Sequence, residues 1–230
     1  MKMYHDLAVV IPVRMGSSRI KNKMLLELDG ISLLEWKIRQ IQIILPNNQI
    51  FVSTESEVLK SIAKKCGVMI HHREFFLADQ HRATFSEVIT GIVKDIPYKH
   101  IAWVTAVVPL MKPAEYKNAF DIYYDECIYS SKHDSLFSAN LLKEYLWNSH
   151  VAINYSADKN HTISQELPNI YKVTNGLYMR NKEAILREGY FIGQNPYKYC
   201  VSKISGIDID EYIDYEIAKN LLPLYKNENI

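Results

Sequence analysis

Three observations predict an α/β fold for this 230-residue chain, with a mostly parallel sheet and helices on both faces. From residue 7 to about residue 125, short apolar runs alternate with amphipathic helical patterns, the rhythm of consecutive βαβ units. Two of the runs, Leu7–Ile11 and His100–Val108, show little polar alternation, as strands covered on both faces do. The first run ends at Pro12 and opens into a loop that sets Gly16, Ser17 and Ser18 among the cations Arg14, Arg19 and Lys23. Ligands of open parallel sheets bind beyond the carboxyl ends of the strands, which is where this loop lies.

Each element follows from a local signal. Ser32-x-x-Glu35 reads as a capping box opening a helix whose stripe is Leu34, Ile38, Ile41 and Leu45. Gln49–Ser53 is the next strand. Thr54-x-x-Glu57 is expected to cap a second helix that buries Val58, Leu59, Ile62, Ala63 and Cys66, with Gly67 as its terminating residue. Val68–Ile70 is a short strand, and Thr84-x-x-Glu87 starts a helix carrying Val88, Ile89, Ile92 and Val93. Pro113 suits the first turn of a helix running to about Asp125. Residues 131–172 break the rhythm. Leu136–Ala139 reads as a strand, but polar and aromatic irregular sequence follows, of the kind used for lids and subunit contacts. Regular structure is expected again from Asn175, then a helix from about Lys182 to Glu188 closed by Gly189. A last strand at Cys200–Ile204 and an amphipathic helix at Glu211–Leu222 complete the reading, with 1–230 as a single domain.

Lys and Arg total 27 against 26 Asp and Glu, a balance that argues against a nucleic-acid partner. Cys66, Cys127 and Cys200 are odd in number and show no metal spacing, which suggests reduced thiols in a cytoplasmic protein. The apolar run near the N-terminus is too short for a secretory signal, and no run approaches a membrane span.

Two constellations carry chemistry. Small residues interleaved with Arg and Lys after a buried strand are suited to phosphates, through backbone N–H groups, hydroxyls and positive charge. The loop matches neither G-x-x-x-x-G-K-[ST] nor G-x-G-x-x-G, so an ordinary basic βα loop stays open and a dehydrogenase reading is disfavoured. The second is Gly206-Ile207-Asp208-Ile209-Asp210. Residues two apart in an extended segment project to one face, and two such carboxylates repel unless a cation such as Mg²⁺ lies between them. The plainer alternative is that Asp210 caps the following helix while Asp208 is solvated. His71 and His72 alternate across a strand end and cannot share a ligand from one face. Ser17 has no partners in a triad spacing.

The string IPVRMGSSRIKNK resembles the opening signature of the sugar-acid cytidylyltransferases, the family of the CMP-sialic acid synthetases, at Arg14, Gly16, Ser17 and Lys23. IDIDEYIDYEIAKNLL is similar to that family's C-terminal motif, and GISLLEW, FVSTESEVLKSIAKKCGV, Arg73, Leu77-Ala78-Asp79 and Asn175-Gly176 fall in the family's order. The likeness spans nearly the whole chain, though only the opening loop and IDID are specific. It departs at Met24, where the family has Asn, and at WVTAVVPLM, where it reads L-Q-P-T-S-P-L-R; Thr105 stands at the glutamine that touches the sugar acid.

The resemblance implies a Rossmann-like nucleotidyltransferase fold with a projecting dimerisation element at 131–172, hence a homodimer. It implies transfer of CMP from CTP to the anomeric hydroxyl of a 2-keto-3-deoxy sugar acid, releasing pyrophosphate, for surface-glycan synthesis. The implied nucleotide contacts are Val13, Arg14, Gly16, Ser17, Ser18, Lys23, Arg73 and Asp79. Arg14, Lys23, Asp208 and Asp210 would be catalytic, the two aspartates holding Mg²⁺. Thr105, Lys172, Asn175, Tyr190 and Phe191 would face the sugar. A nucleotidyltransferase for a different acceptor, as in the spore-coat-type sugar cytidylyltransferases, and a catalytically weakened nucleotide-binding homologue are the alternatives.

Overall fold

The computed structural model describes residues 4–16, 19–79 and 82–227. In chain order the strands are β1 (Leu7–Pro12), β2 (Glu27–Leu28), β3 (Ile31–Ser32), β4 (Ile50–Thr54), β5 (Met69–His72), β6 (His100–Val104), β7 (Ser135–Leu142), β8 (Ile170–Asn181) and β9 (Pro196–Cys200). The helices are α1 (Leu33–Gln42), α2 (Glu57–Lys65), α3 (Phe75–Ala78), α4 (Phe85–Val93), α5 (Pro113–Tyr123), α6 (Lys182–Glu188) and α7 (Tyr212–Lys226), and a π-helical turn, Tyr124–Tyr129, extends α5.

Seven strands form one sheet in the order β5-β4-β1-β6-β8-β7-β9, and β2 and β3 make a small ribbon beside it. β1 pairs parallel with β4 and β6, β4 with β5, and β7 with β9. β8 alone is antiparallel to its neighbours, β6 and β7. The alternation of side chains along β1 divides the interior. Leu7, Val9 and Ile11 pack on one face with α1, α2 and α5, while Ala8 and Val10 pack on the other with Ile89, Ile92 and Val93 of α4 and Ile185 of α6. Both faces are therefore covered, which is why β1 reads as an unbroken apolar run. A third cluster seats α7, through Tyr215, Ala218 and Leu222, against Leu28, Leu33, Leu110 and Ile209.

Most start and stop signals hold. Ser32 caps α1, Thr84 and Glu87 form a full capping box on α4, and Gly67 and Gly189 end α2 and α6 with φ of 73° and 71°. Several boundaries move. Ser56, not Thr54, caps α2, because Thr54 is still paired in β4 and its hydroxyl instead accepts from Ser56 N. This rotates Val58 to the outside of α2, where it is half exposed rather than buried. β6 stops at Val104, and the apolar residues after it belong to a buried loop. The last strand is Pro196–Cys200, not Cys200–Ile204, because it must run beside Ser135–Ala139 of β7. β8 begins at Ile170, so regular structure returns before Asn175. Among the described residues, no helix is long and apolar enough to cross a membrane.

The pairing of β7 with β8 slips between Phe137 and Ala139, leaving Thr174–Leu177 of β8 opposite Ser138. The Ser138 hydroxyl stands in for the missing ladder, accepting from Thr174 Oγ1 at 2.7 Å and from Leu177 N at 3.0 Å. Asn175, at φ 58°, is the residue thrown out by this bulge. Asn is one of the few non-glycine residues that adopts that conformation readily.

Candidate active site

A cleft of about 530 Å³ opens beyond the carboxyl ends of β1 and β6. Val13, Arg14, Arg19, Arg73, Thr105, Asn175, Phe191, Asp208 and Asp210 contribute to its lining. The opening loop and the IDID segment, some two hundred positions apart in sequence, therefore face one space. They also touch: Arg19 Nη2 lies 2.8 Å from Asp210 Oδ1.

The loop after β1 is held on both sides. Val13 N donates to Ser53 O, and Val13 O accepts from the buried Arg73 guanidinium at 2.5 Å. Arg73 is fixed by Glu55 at 2.8 Å. Burial opposes ionisation of Glu55, but the Arg73 hydrogen bond and charge outweigh it and keep its carboxyl below the usual range. Arg73 Nε is buried with no hydrogen-bond partner. Arg14 reaches across to Ala78 O at 3.3 Å. Ser17 and Ser18 lie outside the described residues.

The two aspartates differ in environment. Asp208 Oδ2 accepts from Asn175 Nδ2 at 2.8 Å, while Oδ1 is shut off from solvent with no partner. Burial pushes the Asp208 carboxyl above the usual range; the Asn175 hydrogen bond opposes this and the charge of Asp210 adds to it. Asp210 is half exposed, with Arg19 beside it and Lys23 Nζ at 3.8 Å. Asp210 does not cap α7. Glu211 is the cap residue, and Asp214 accepts from the backbone N–H groups of Asp210 and Glu211.

An unpartnered buried carboxylate oxygen beside a second carboxylate is a donor set that fits Mg²⁺, which takes one or two protein carboxylates and completes its shell with phosphate oxygens and water. No group of three or more His, Cys, Asp or Glu side chains that could hold a metal occurs among the described residues. Asp208 and Asp210 are the residues that would hold the ion.

Other expected site residues divide. Thr105 Oγ1 donates to Asn175 O at 2.7 Å, and Tyr178 OH donates to Asn175 Oδ1 at 2.5 Å, so the bulge is clamped from both sides. Phe191 is buried in an aromatic cluster with Trp103 and Tyr178, ring centroids 5.5 and 4.2 Å away. Tyr190 stacks on Phe191 at 4.8 Å but, among the described residues, is not part of the cleft lining. The same is true of Gly16, Lys23, Asp79 and Lys172. Lys172 is exposed on β8 opposite Asn140, Asp79 pairs with Arg82, and Lys23 is buried behind the aspartates, where Nζ donates to Ile209 O at 2.7 Å. Burial lowers the Lys23 pKa, and Asp210 and Asp208 oppose that. Met24, at the family's Asn position, packs in the main core.

A model of the family described as "Cytidylyltransferase" matches residues 8–225. The chain belongs to the cytidylyltransferase family. Relatives include the N-acylneuraminate cytidylyltransferase of Escherichia coli, 24% identical over 94% of this chain and 52% of that one. The CMP-N,N'-diacetyllegionaminic acid synthase of Campylobacter jejuni is 21% identical over 95% of this chain and 96% of that one. The chain thus spans about half the length of the first relative and nearly all of the second. Among solved structures, a CMP:2-keto-3-deoxy-manno-octonic acid synthetase complexed with CTP has a TM-score of 0.66 at 12% identity, over 95% of this chain and 98% of that one. At that identity the likeness shows the fold alone, a Rossmann-like nucleotidyltransferase sheet.

Arg19, Trp103 and Tyr178 are among the cleft residues that the sequence reading does not assign to the site. Arg19 lies inside the cation-rich loop, and only its pairing with Asp210 marks it as part of the site. Trp103 and Tyr178 look like ordinary strand residues. Trp103 lies near the carboxyl end of β6, and the antiparallel pairing of β6 with β8 sets Tyr178 beside it at the cleft.

Proposed function

We propose that the protein transfers CMP from CTP to the anomeric hydroxyl of a 2-keto-3-deoxy sugar acid, releasing pyrophosphate, and that residues 1–230 act as one nucleotidyltransferase domain. The observation that carries this reading is the convergence of Arg14, Arg19 and Arg73 with Asp208 and Asp210 on one cleft. Phosphoryl-type transfer depends chiefly on positioning and charge neutralisation, so it needs cations and carboxylates rather than a covalent nucleophile. Arg14 and Arg19 neutralise the phosphates. Arg73, held by Glu55, adds positive charge to the nucleotide side of the cleft. The apolar wall of Trp103, Tyr178 and Phe191 seats the acceptor and excludes water, while Thr105 and Asn175 border the reacting centre. The hydroxyl oxygen attacks the α-phosphorus and gives up its proton to water as the bond to the bridging oxygen breaks and pyrophosphate leaves with that bond's electron pair. Mg²⁺ held by Asp208 and Asp210 would supply charge neutralisation and orientation of phosphate oxygens.

The region 131–172 is the proposed homodimer contact. Its exposed Trp147, Val151, Ile153 and Ile163 offer apolar surface that a second copy would bury.

The deciding experiment is pyrophosphate release from each common nucleoside triphosphate with Mg²⁺ and a panel of 2-keto-3-deoxy sugar acids. Release with CTP and one acid supports the reading and names the acceptor. Metal-dependent CTP binding with no release would replace it by a nucleotide-binding homologue, and release with a neutral sugar acceptor would replace it by another cytidylyl transfer.

A further inference from the structure

Lys37 lies on α1, outside the cleft lining and fully buried. Its neighbours on the helix, Leu34, Ile38 and Ile41, are apolar as a core-facing stripe requires, so an amine there needs a reason. The reason lies in the loop after β6. Residues 105–111 are largely buried irregular backbone, whose carbonyls have no strand or helix to satisfy them. Side chains of α1 supply the donors: Lys37 Nζ to Val108 O at 2.8 Å, Trp36 Nε1 to Pro109 O at 2.9 Å, and Gln40 Nε2 to Pro109 O at 2.8 Å and Met111 O at 3.0 Å. Lys37 Nζ also bonds Tyr116 OH at 2.8 Å, and that hydroxyl points on to Gly176 O at 3.4 Å.

The staked loop touches both segments that carry the site's carboxylate chemistry. Val107 O accepts from Ile209 N, between Asp208 and Asp210. Thr105 Oγ1 donates to Asn175 O, and Asn175 orients Asp208. Val108 and Met111 press on Gly176 so closely that an added Cβ would lie 3.2 Å from a side-chain atom of each. We infer that Lys37 is a positioning residue for the Asp208–Asp210 pair, acting through the 105–111 loop and the bulge at Asn175-Gly176. Burial holds its pKa well below the usual lysine value, with Glu115 opposing.

The inference rests on the proposed function for its kinetic arm but not for its structural one. Lys37→Met keeps the volume of the side chain and removes the donor. Ile89→Ala, in the core on the opposite face of the sheet, is the control for destabilisation alone. Hydrogen exchange read by residue should show the amides of Ile209 and Leu177 exchanging at least tenfold faster in Lys37→Met and not in Ile89→Ala. Turnover should fall about 10- to 100-fold, the scale expected for small misplacement of reacting groups, with KM for CTP within twofold. Unchanged exchange at those amides overturns the inference whether or not any acceptor is turned over. Faster exchange with full turnover also overturns it. If no acceptor is turned over by the unaltered protein, the functional reading fails while the exchange result still decides the positioning. Should Lys37→Met not fold, Tyr116→Phe removes the hydroxyl that joins Lys37 Nζ to Gly176 O while leaving the Lys37 bond to Val108 O, and the same two readouts apply.

Discussion

Asp208→Asn separates the two demands placed on this carboxylate. The wild-type oxygen Oδ1 is enclosed without a hydrogen-bond partner, and Asp210 stands two residues away. Leaving a buried polar atom unsatisfied costs about 1–3 kcal/mol, and a charge raises that cost. Asparagine keeps an oxygen to accept from Asn175 and puts a neutral amide where the unpartnered oxygen was, so removal of the buried charge alone should gain about 1 kcal/mol without metal or nucleotide. For a chain of this length that is about 2–4 °C in Tm. The sign depends on pH. Because burial raises the folded-state pKa of Asp208, its contribution to stability is present below the ordinary carboxylate pKa and is lost as pH rises through the folded value. The gain from Asn should therefore appear at pH 7.5 and vanish below about pH 4. Mg²⁺ with CTP should raise the Tm of the wild type and not of the variant, whose turnover should fall by about 10²–10³-fold. Thermal melts at the two pH values, with and without Mg²⁺–CTP, together with pyrophosphate release, check all of this. A variant that melts below the wild type at pH 7.5 without metal, or turns over within tenfold of it, refutes the reasoning.

Arg73→Ala leaves Glu55 charged and half-buried without its partner, which should cost about 3–5 kcal/mol and weaken CTP binding, read by denaturant melts and calorimetry. Thr84→Ala removes the capping box of α4 and should cost about 1 kcal/mol with turnover unchanged. His100 is buried, with Nδ1 against Tyr123 OH and Nε2 without a hydrogen bond, 3.6 Å from Asp6 Oδ2; burial lowers its pKa, Asp6 opposing. A depressed histidine stabilises the fold above its unfolded pKa of about 6.5, and that stability is lost as pH falls through the lower folded value. Melts of the wild type should therefore decline toward pH 5, and His100→Gln should flatten the decline. Trp147→Asp with Ile153→Asp should convert a dimer to a monomer by sedimentation; an unchanged mass would remove 131–172 as the contact.

The rhythm of β1 to α5 was legible because each element announces itself locally: an apolar run, a capping serine or threonine, a glycine at a helix end. That the cation-rich loop and the IDID pair carry chemistry was legible for a related reason, since cations and carboxylates at fixed spacing constrain chemistry wherever they lie. What the sequence by itself determined was thus the α/β class, the parallel half of the sheet and the family.

Tertiary structure decided the rest. Thr54 looks like a cap until its pairing in β4 is known, and Cys200–Ile204 looks like a strand until β9 must lie beside β7. Lys23 has the right spacing for a phosphate, yet packing turns it onto Ile209 O behind the aspartates. Asn175 gains its role only because Ser138 opposes a bulge, and Arg19 only because Asp210 folds back to meet it. Each depends on which distant backbone lies alongside. That is fixed by strand pairing and by the shared burial of side chains, interactions that connect positions far apart in sequence and leave no pattern in the residues nearby.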